Sequence, residues 1–358
     1  MKNTPLFFPA LTGFRAIAAW LVFVYHFFPF NNSPFPILIN RIVWEFHFGV
    51  DLFFVLSGFL ITYRYYNQEK IDFKQYMVNR FSRIYPMYFL LTISVFFVGY
   101  IKTTEWDTFK TYELISSLTM TKALFSDLFL SGIAQGWTLT LEEIFYLTAP
   151  FSFLLIKKAR KWIYLLPVFV FVIGFLLDKL FNNPLNTLGF LQTKIHVYVF
   201  EFFAGIALGY FVLKKPFTFN FNYFTYFGIG IVLLYLSSIG YIKTIFDLKS
   251  EVGRSLELIF LSVLGIVPIL YGLIHEKTFI QRILGYKYIV LLGKSSYVFY
   301  LIHKGFIPIF INDYITNNKL LLFILLNIIS VVLFYMIEEP LNNYIRNRYK
   351  NKKNLNIS

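Results

Sequence analysis

An all-α, polytopic membrane protein is what this sequence predicts, on three observations: long apolar runs along the whole chain, scarce charge and abundant aromatic rings. Hydrophobic residues make up 57% of the 358 positions, and charged residues only 15%. Soluble domains carry about a quarter charged residues. A very large soluble core is excluded, because too few polar residues remain to cover it. The 46 Phe and 26 Tyr suit a lipid-facing surface with aromatic belts at both interfaces.

Runs long enough to cross the hydrocarbon number about ten: 11–29, 48–63, 84–101, 136–156, 162–178, 196–213, 223–242, 256–274, 288–312 and 320–338. The second is short and contains Asp51, which leaves its ends open. The connections alternate in basic content. Segments 64–83, 157–161, 214–215 and 275–287, with both termini, hold 20 Lys and Arg, whereas the opposite connections hold 10. The positive-inside tendency then places both termini in the cytoplasm, in keeping with an even number of spans. One membrane domain, residues 1–340, is followed by a basic cytoplasmic tail, 341–358, expected to fray against anionic headgroups. The connection 102–135 is expected to be long and external. No internal repeat is evident, and the first apolar run lacks a small-residue cleavage site, so it reads as a retained helix.

The net charge of +14 does not indicate nucleic-acid binding, because the basic residues flank apolar runs instead of forming one patch. With no cysteine there is no disulfide, thiolate nucleophile or cysteine metal site, and the five histidines show no metal-ligand spacing. No metal is expected.

The first run carries Arg15 and His26 about 16 Å apart at helical rise. Ionisable groups at membrane depth are costly and usually face a protein interior or a wet cavity. With spans alternating in direction, His26, Asp51, Glu142, Glu143, Glu201 and His303 all fall in the outer third of the membrane. Arg15, Arg80 and Arg83 fall toward the cytoplasm, where they suit a polyanion. Arg80 and Arg83, three apart, share a face if helical, just before Pro86 opens the third span. Plainer readings stand beside these. His26 could be an interhelical hydrogen-bonder, Asp51 a helix N-cap, the arginines topology determinants, and Arg15 a snorkelling side chain. Glu142 and Glu143 cannot both face inward, and Glu201 reads as structural.

Arg15 and His26, with ten residues between them, resemble the R-x10-H signature of the acyltransferase family 3 membrane proteins. FGVDLFFVLSGFLIT, Phe48 to Thr62, resembles that family's second-helix motif. RFSR, Arg80 to Arg83, matches its R-x-x-R, and RIYPMY follows as in relatives. WTLTLEEIFYL (Trp137 to Leu147), SYVFYLIH (Ser296 to His303) and IEEPL (Ile337 to Leu341) resemble its later motifs. The resemblance spans nearly the whole chain with the motifs in order.

The resemblance implies transfer of an acyl group, by default acetyl, from cytoplasmic acetyl-CoA to a hydroxyl of an extracytoplasmic glycan or lipid-linked saccharide. It also implies residence in the cell membrane. Many relatives carry an appended SGNH-type domain, and the sequence is expected to lack one because it ends soon after the tenth run. A sugar hydroxyl needs a base, and imidazole titrates near working pH. His26 is therefore the candidate base, expected to be buried and neutral. Asp51 or Glu142 would orient it, and Arg15, Arg80 and Arg83 would grip the CoA phosphates. Direct transfer and an acyl-histidine intermediate both fit. Two rivals remain: a proton-coupled saccharide exporter, which would show broken helices in two matching halves, and a structural subunit in which these residues merely pack.

Overall fold

The structure, a computed structural model, describes residues 7–28, 37–181, 195–214, 223–245 and 250–355. Among them every regular element is a helix. Eight helices are long and apolar enough to cross a membrane: Pro9–Phe27, Ile39–Tyr65, Phe73–Thr103, Ala134–Lys158, Trp162–Leu180, Ile195–Lys214, Glu251–His275 and Lys319–Lys353. A shorter apolar helix covers Phe224–Ile239. The protein is a multi-pass membrane protein.

The ninth expected run is not one continuous helix. The run 288–312 is three pieces, α13 (Lys287–Lys294), α14 (Ser296–Ile302) and α15 (Phe306–Tyr314). Lys294 and Ser295 interrupt it first, then His303–Lys304–Gly305, where Gly305 adopts a φ of 110° that a side chain would strain. Several other boundaries shift outward. The second run extends from Ile39 to Tyr65, because α2 (Ile37–Trp44), a 3₁₀ turn (Glu45–Phe48) and α3 (Gly49–Tyr65) follow one another directly. The third begins at Phe73, so Pro86 lies within α4 (Phe73–Thr103) and does not open it. Asp72 caps α4 by accepting the Gln75 N–H at 3.0 Å, and Lys353 Nζ lies 2.6 Å from its other oxygen. These two contacts, the backbone one foremost, hold the Asp72 carboxyl below its usual range. Lys353 belongs to α17 (Glu339–Leu355), so the basic tail is helical through Leu355 and not frayed. The connection 102–135 is folded around α5 (Thr108–Leu118).

The described residues form two compact units. The first draws on Met1–Gln68, Phe151–Asn186 and Lys194–Lys294, the second on Glu69–Pro150 and Ser295–Ser358. Close backbone approach organises the first. A Cβ on Gly58 of α3 would lie 2.1 Å from the Phe202 carbonyl oxygen, and one on Gly205 would lie 2.0 Å from that of Val55. Residues 202 and 205 belong to α8 (Ile195–Lys214), whose Gly205-x-x-x-Gly209 spacing is the small-residue pattern that lets membrane helices touch. These contacts make α3 and α8 run parallel and bring Asp51 level with Tyr198–Glu201.

In the second unit a buried lysine holds the connection between α4 and α6 (Trp137–Lys158). Lys122 Nζ donates to the Ser131 carbonyl at 2.6 Å and also to that of Ile133. Burial pushes its ammonium down to about 7. A neutral amine still has two N–H groups, one for each carbonyl.

Candidate active site

Arg15 and His26 lie on one helix, α1 (Pro9–Phe27). Eleven residues are just over three turns, so the two side chains leave the same face, about 20° apart around the axis and about 16 Å along it. Arg15 is half-buried, and His26, in the last turn, is exposed rather than enclosed. Its ring lies 4.8 Å from that of Tyr25, which in turn lies 5.6 Å from His47 and 5.7 Å from Trp44.

Asp51 is not at the level of His26, contrary to the expectation from topology. A Cβ on Gly49 would strike the Ala18 carbonyl oxygen at 2.4 Å and the Val22 side chain at 2.9 Å. The start of α3 is therefore level with the middle of α1's second half, and Asp51 lies about 12 Å below His26 at 1.5 Å per residue. Asp51, 2% exposed, instead faces Arg254 and Glu201. Arg254 belongs to α10 (Glu251–Phe260). Its Nη2 is 4.0 Å from Asp51 Oδ2, and its Nη1 is 2.5 Å from Glu257 Oε2. The Tyr235 hydroxyl, from α9 (Phe224–Ile245), donates to the other Glu257 oxygen. Arg254 Nη2 also lies 3.5 Å from His47 Nε2. Glu201 is fully buried, and its carboxyl group lies within hydrogen-bond reach of that of Asp51. One arginine thus serves two carboxylates and links them, through His47 and Tyr25, to the end of α1.

In the second unit the candidates gather around Tyr146 of α6. Its ring carries the Arg80 guanidinium at 5.4 Å, and its hydroxyl donates to Glu142 Oε1. Its carbonyl accepts the Tyr76 hydroxyl at 2.7 Å. That carbonyl is available because Pro150, four residues on, has no N–H to give it. Glu143 is near enough to Glu142 and Arg80 to feel both. The Tyr297 hydroxyl of α14 donates to the Ile84 carbonyl at 2.8 Å, with Glu142 and Glu338 nearby. The expected layering is corrected here. Glu142 and Glu143 share a layer with Arg80, the residue read as donor-side, rather than a separate outer layer. Arg83, one turn beyond Arg80 on α4, is half-buried, and His303 is buried with Nδ1 2.7 Å from the Tyr300 carbonyl. No group of three or more potential metal ligands occurs among the described residues.

The sequence matches the acyltransferase domain family from residue 8 to residue 339. The chain belongs to acyltransferase family 3. This acyltransferase domain contains all six candidates: Arg15, His26, Asp51, Arg80, Arg83 and Glu142. The chain is 24% identical to the O-acetyltransferase OatA of Staphylococcus aureus strain NCTC 8325, over 98% of its own length and 58% of that protein's. It is 26% identical to the peptidoglycan O-acetyltransferase OatA of Listeria monocytogenes, over 84% of its own length and 49% of that protein's. The chain therefore spans between half and three fifths of the length of these curated relatives. No solved structure matches it.

Sequence reading missed Arg254, Glu257, His47 and Tyr146. Arg254 and Glu257 had a signal: SEVGRSLELIF is polar at intervals of three and four, as one face of a helix entering the membrane would be. Starting that span at 256 left Arg254 in a loop. Tyr146 carried no comparable signal, being one of 26 tyrosines.

Proposed function

We propose that this domain is a membrane O-acyltransferase that moves an acetyl group from cytoplasmic acetyl-CoA to a hydroxyl of an extracytoplasmic saccharide. A peptidoglycan-type glycan is the first acceptor to test, given that the Listeria relative is a peptidoglycan O-acetyltransferase. The observation that carries the reading is the single face of α1 that bears Arg15 at one level and an accessible His26 about 16 Å further on. That span suits a donor whose phosphates are held low on the helix and whose thioester is carried along a flexible arm.

In this reading Arg80 and Arg83 grip the CoA phosphates, and Arg15 marks the low end of the α1 face. The Arg80 guanidinium lies 5.4 Å from the Tyr146 ring centroid, a cation–π contact that does not use up its N–H donors for an oxyanion. His26 takes the proton of the acceptor hydroxyl as its oxygen attacks the thioester carbon. The carbon–sulfur bond then breaks, and the leaving thiolate takes the proton back from the imidazolium. Asp51 acts at a remove, as a positioning residue, by holding Arg254 against His47. Glu142 fixes the Tyr146 ring on which Arg80 lies.

Thermal unfolding in detergent with and without acetyl-CoA tests this before an acceptor is known, since a ligand bound only to the folded state raises the midpoint. Wild type and His26→Ala should both be stabilised, and Arg80→Ala/Arg83→Ala should not. Absence of any shift with acyl-CoA overturns the reading in favour of a saccharide exporter, whose transport would proceed without acyl-CoA. Among the described residues the ninth run is interrupted at Ser295 and at 303–305, but the exporter needs matching broken helices in two halves.

A further inference from the structure

Within the first unit an apolar cavity of about 420 Å³ opens among α7 (Trp162–Phe181), α8, the start of α9 and the continuous helix Glu251–His275. Its size is that of a ligand pocket. Two local features create it. On α8, Ala204 and Ala207 present methyl groups where Phe200, Phe203 and Phe211 stand on either side. On the facing helix, Leu261–Ile266 is wound as a π-turn, which widens the helix, and Pro268 follows in the next turn. Walls of hydrocarbon and aromatic ring, with only the hydroxyls of Tyr164 and Tyr271 to interrupt them, give water few partners. An empty space this large would forfeit the dispersion contacts of every residue around it.

The mouth of this cavity is basic. The turn joining α6 to α7 carries Lys157, Lys158, Arg160 and Lys161, all exposed. The Arg160 guanidinium lies 4.9 Å from the centroid of the Phe211 ring, itself a wall of the cavity. Lys157 and Lys214 converge on a single ring, Tyr66, at 5.7 Å and 5.9 Å. The nearby carboxylate, Glu276, is engaged elsewhere, accepting from the backbone N–H groups of Phe224 at 2.5 Å and Thr225 at 3.1 Å. Three cations thus gather beside an apolar slot, at the end of the bundle where the sequence concentrates its positive charge.

We propose that this cavity is a binding site for one anionic phospholipid, with an acyl chain in the slot and the phosphate against Arg160, Lys157 and Lys214. A neutral lipid would fill the slot equally well but leave the cations uncompensated. Each basic residue close to an anionic headgroup is worth about five-fold in affinity. The site stands on the membrane-spanning fold and does not depend on acyl transfer.

The test is native mass spectrometry and thermal unfolding of the full chain in a neutral detergent. It is titrated with phosphatidylglycerol, phosphatidylcholine of the same chains, inorganic phosphate and palmitoyl-CoA. One phosphatidylglycerol should be retained, at least ten-fold more tightly than phosphatidylcholine, and inorganic phosphate alone should not stabilise. Lys157→Ala/Arg160→Ala should weaken phosphatidylglycerol roughly 10- to 30-fold, leaving only the few-fold preference over phosphatidylcholine that Lys214 supplies. Ala207→Trp, which fills the slot, should release the retained lipid. Ala207→Leu should weaken it partially and serves if the larger residue prevents folding. Equal retention of the two phospholipids, or retention unaltered by both slot-filling variants, would overturn the proposal. So would palmitoyl-CoA binding more tightly than phosphatidylglycerol and being lost on filling the slot, which would reassign the cavity to a thioester chain.

Discussion

In the first unit Arg254 faces two carboxylates, Asp51 and Glu257, and the Tyr235 hydroxyl completes the second of them. In the second unit Arg80 lies over the ring of Tyr146, and it is that tyrosine's hydroxyl that Glu142 accepts. One cluster is held charge against charge, the other through an aromatic intermediary. The difference teaches where commitment lies. Removing one member of a buried ion pair strands its partner. A guanidinium held by a cation–π contact has no carboxylate partner in that contact to be stranded. In the proposed function the first cluster serves as a scaffold beneath His26 and the second as the docking place for the donor's phosphates.

The sharpest way to break this contrast is His26→Ala. Because His26 is exposed, the substitution should leave the unfolding midpoint within about 0.5 kcal/mol of wild type. It should lower acetyl transfer by roughly 10²- to 10⁴-fold, measured with radiolabelled acetyl-CoA and a glycan acceptor. Comparable losses of stability and activity would place His26 in the scaffold instead.

Arg254→Met comes next, at about 3–5 kcal/mol of stability, because Asp51 and Glu257 would be left as unpaired buried charges. Combining it with Asp51→Asn and Glu257→Gln should recover much of that loss in denaturant unfolding. Additive losses in the triple variant would dissolve the ion-paired scaffold.

Tyr146→Phe should be milder, about 1–2 kcal/mol, since one hydrogen bond is lost while the ring under Arg80 remains. Its acetyl-CoA affinity should fall only a few-fold, against the loss expected for Tyr146→Ala. Equal effects from the two substitutions would remove the aromatic intermediary from the argument.

Lys122 contributes an effect that appears only as pH is varied. Its folded-state pKa of about 7 lies below the ordinary 10.5. Between these values the unfolded chain holds a proton that the folded chain has released, so stability rises as pH is raised from 7 toward 10. Lys122→Met should flatten that slope in thermal unfolding between pH 7 and 9.5, and an unchanged slope would show that the ammonium stays charged in the fold.

Much of the architecture was legible because the bilayer leaves few choices. Backbone groups in hydrocarbon must bond within their own segment, so apolar runs become helices. Charge in such runs is costly enough to mark its own importance, and Arg15, His26, Asp51 and Glu142 stood out for that reason, whereas Arg80 stood out by its spacing from Arg83. Levels within the membrane were less legible. Counting residues from an assumed surface put Asp51 beside His26, but the fit of Gly49 against Ala18 and Val22 set it about two turns lower. The same counting separated Glu142 from Arg80, whereas the ring of Tyr146 joins them.

The sequence by itself determined the class of the molecule, its family, the identity of most charged candidates and the approximate boundaries of most spans, because these follow from hydropathy, charge and local spacing. Only the tertiary structure decided which charges meet, that Arg254 serves Asp51, that the ninth apolar run is broken at Lys294–Ser295 and at Gly305, and that the π-turn and two alanines leave a cavity with a basic mouth. The reason is physical. Helix formation is settled within one turn of chain, whereas the level at which two helices meet depends on side-chain fit between residues far apart in sequence, such as Gly205 and Val55.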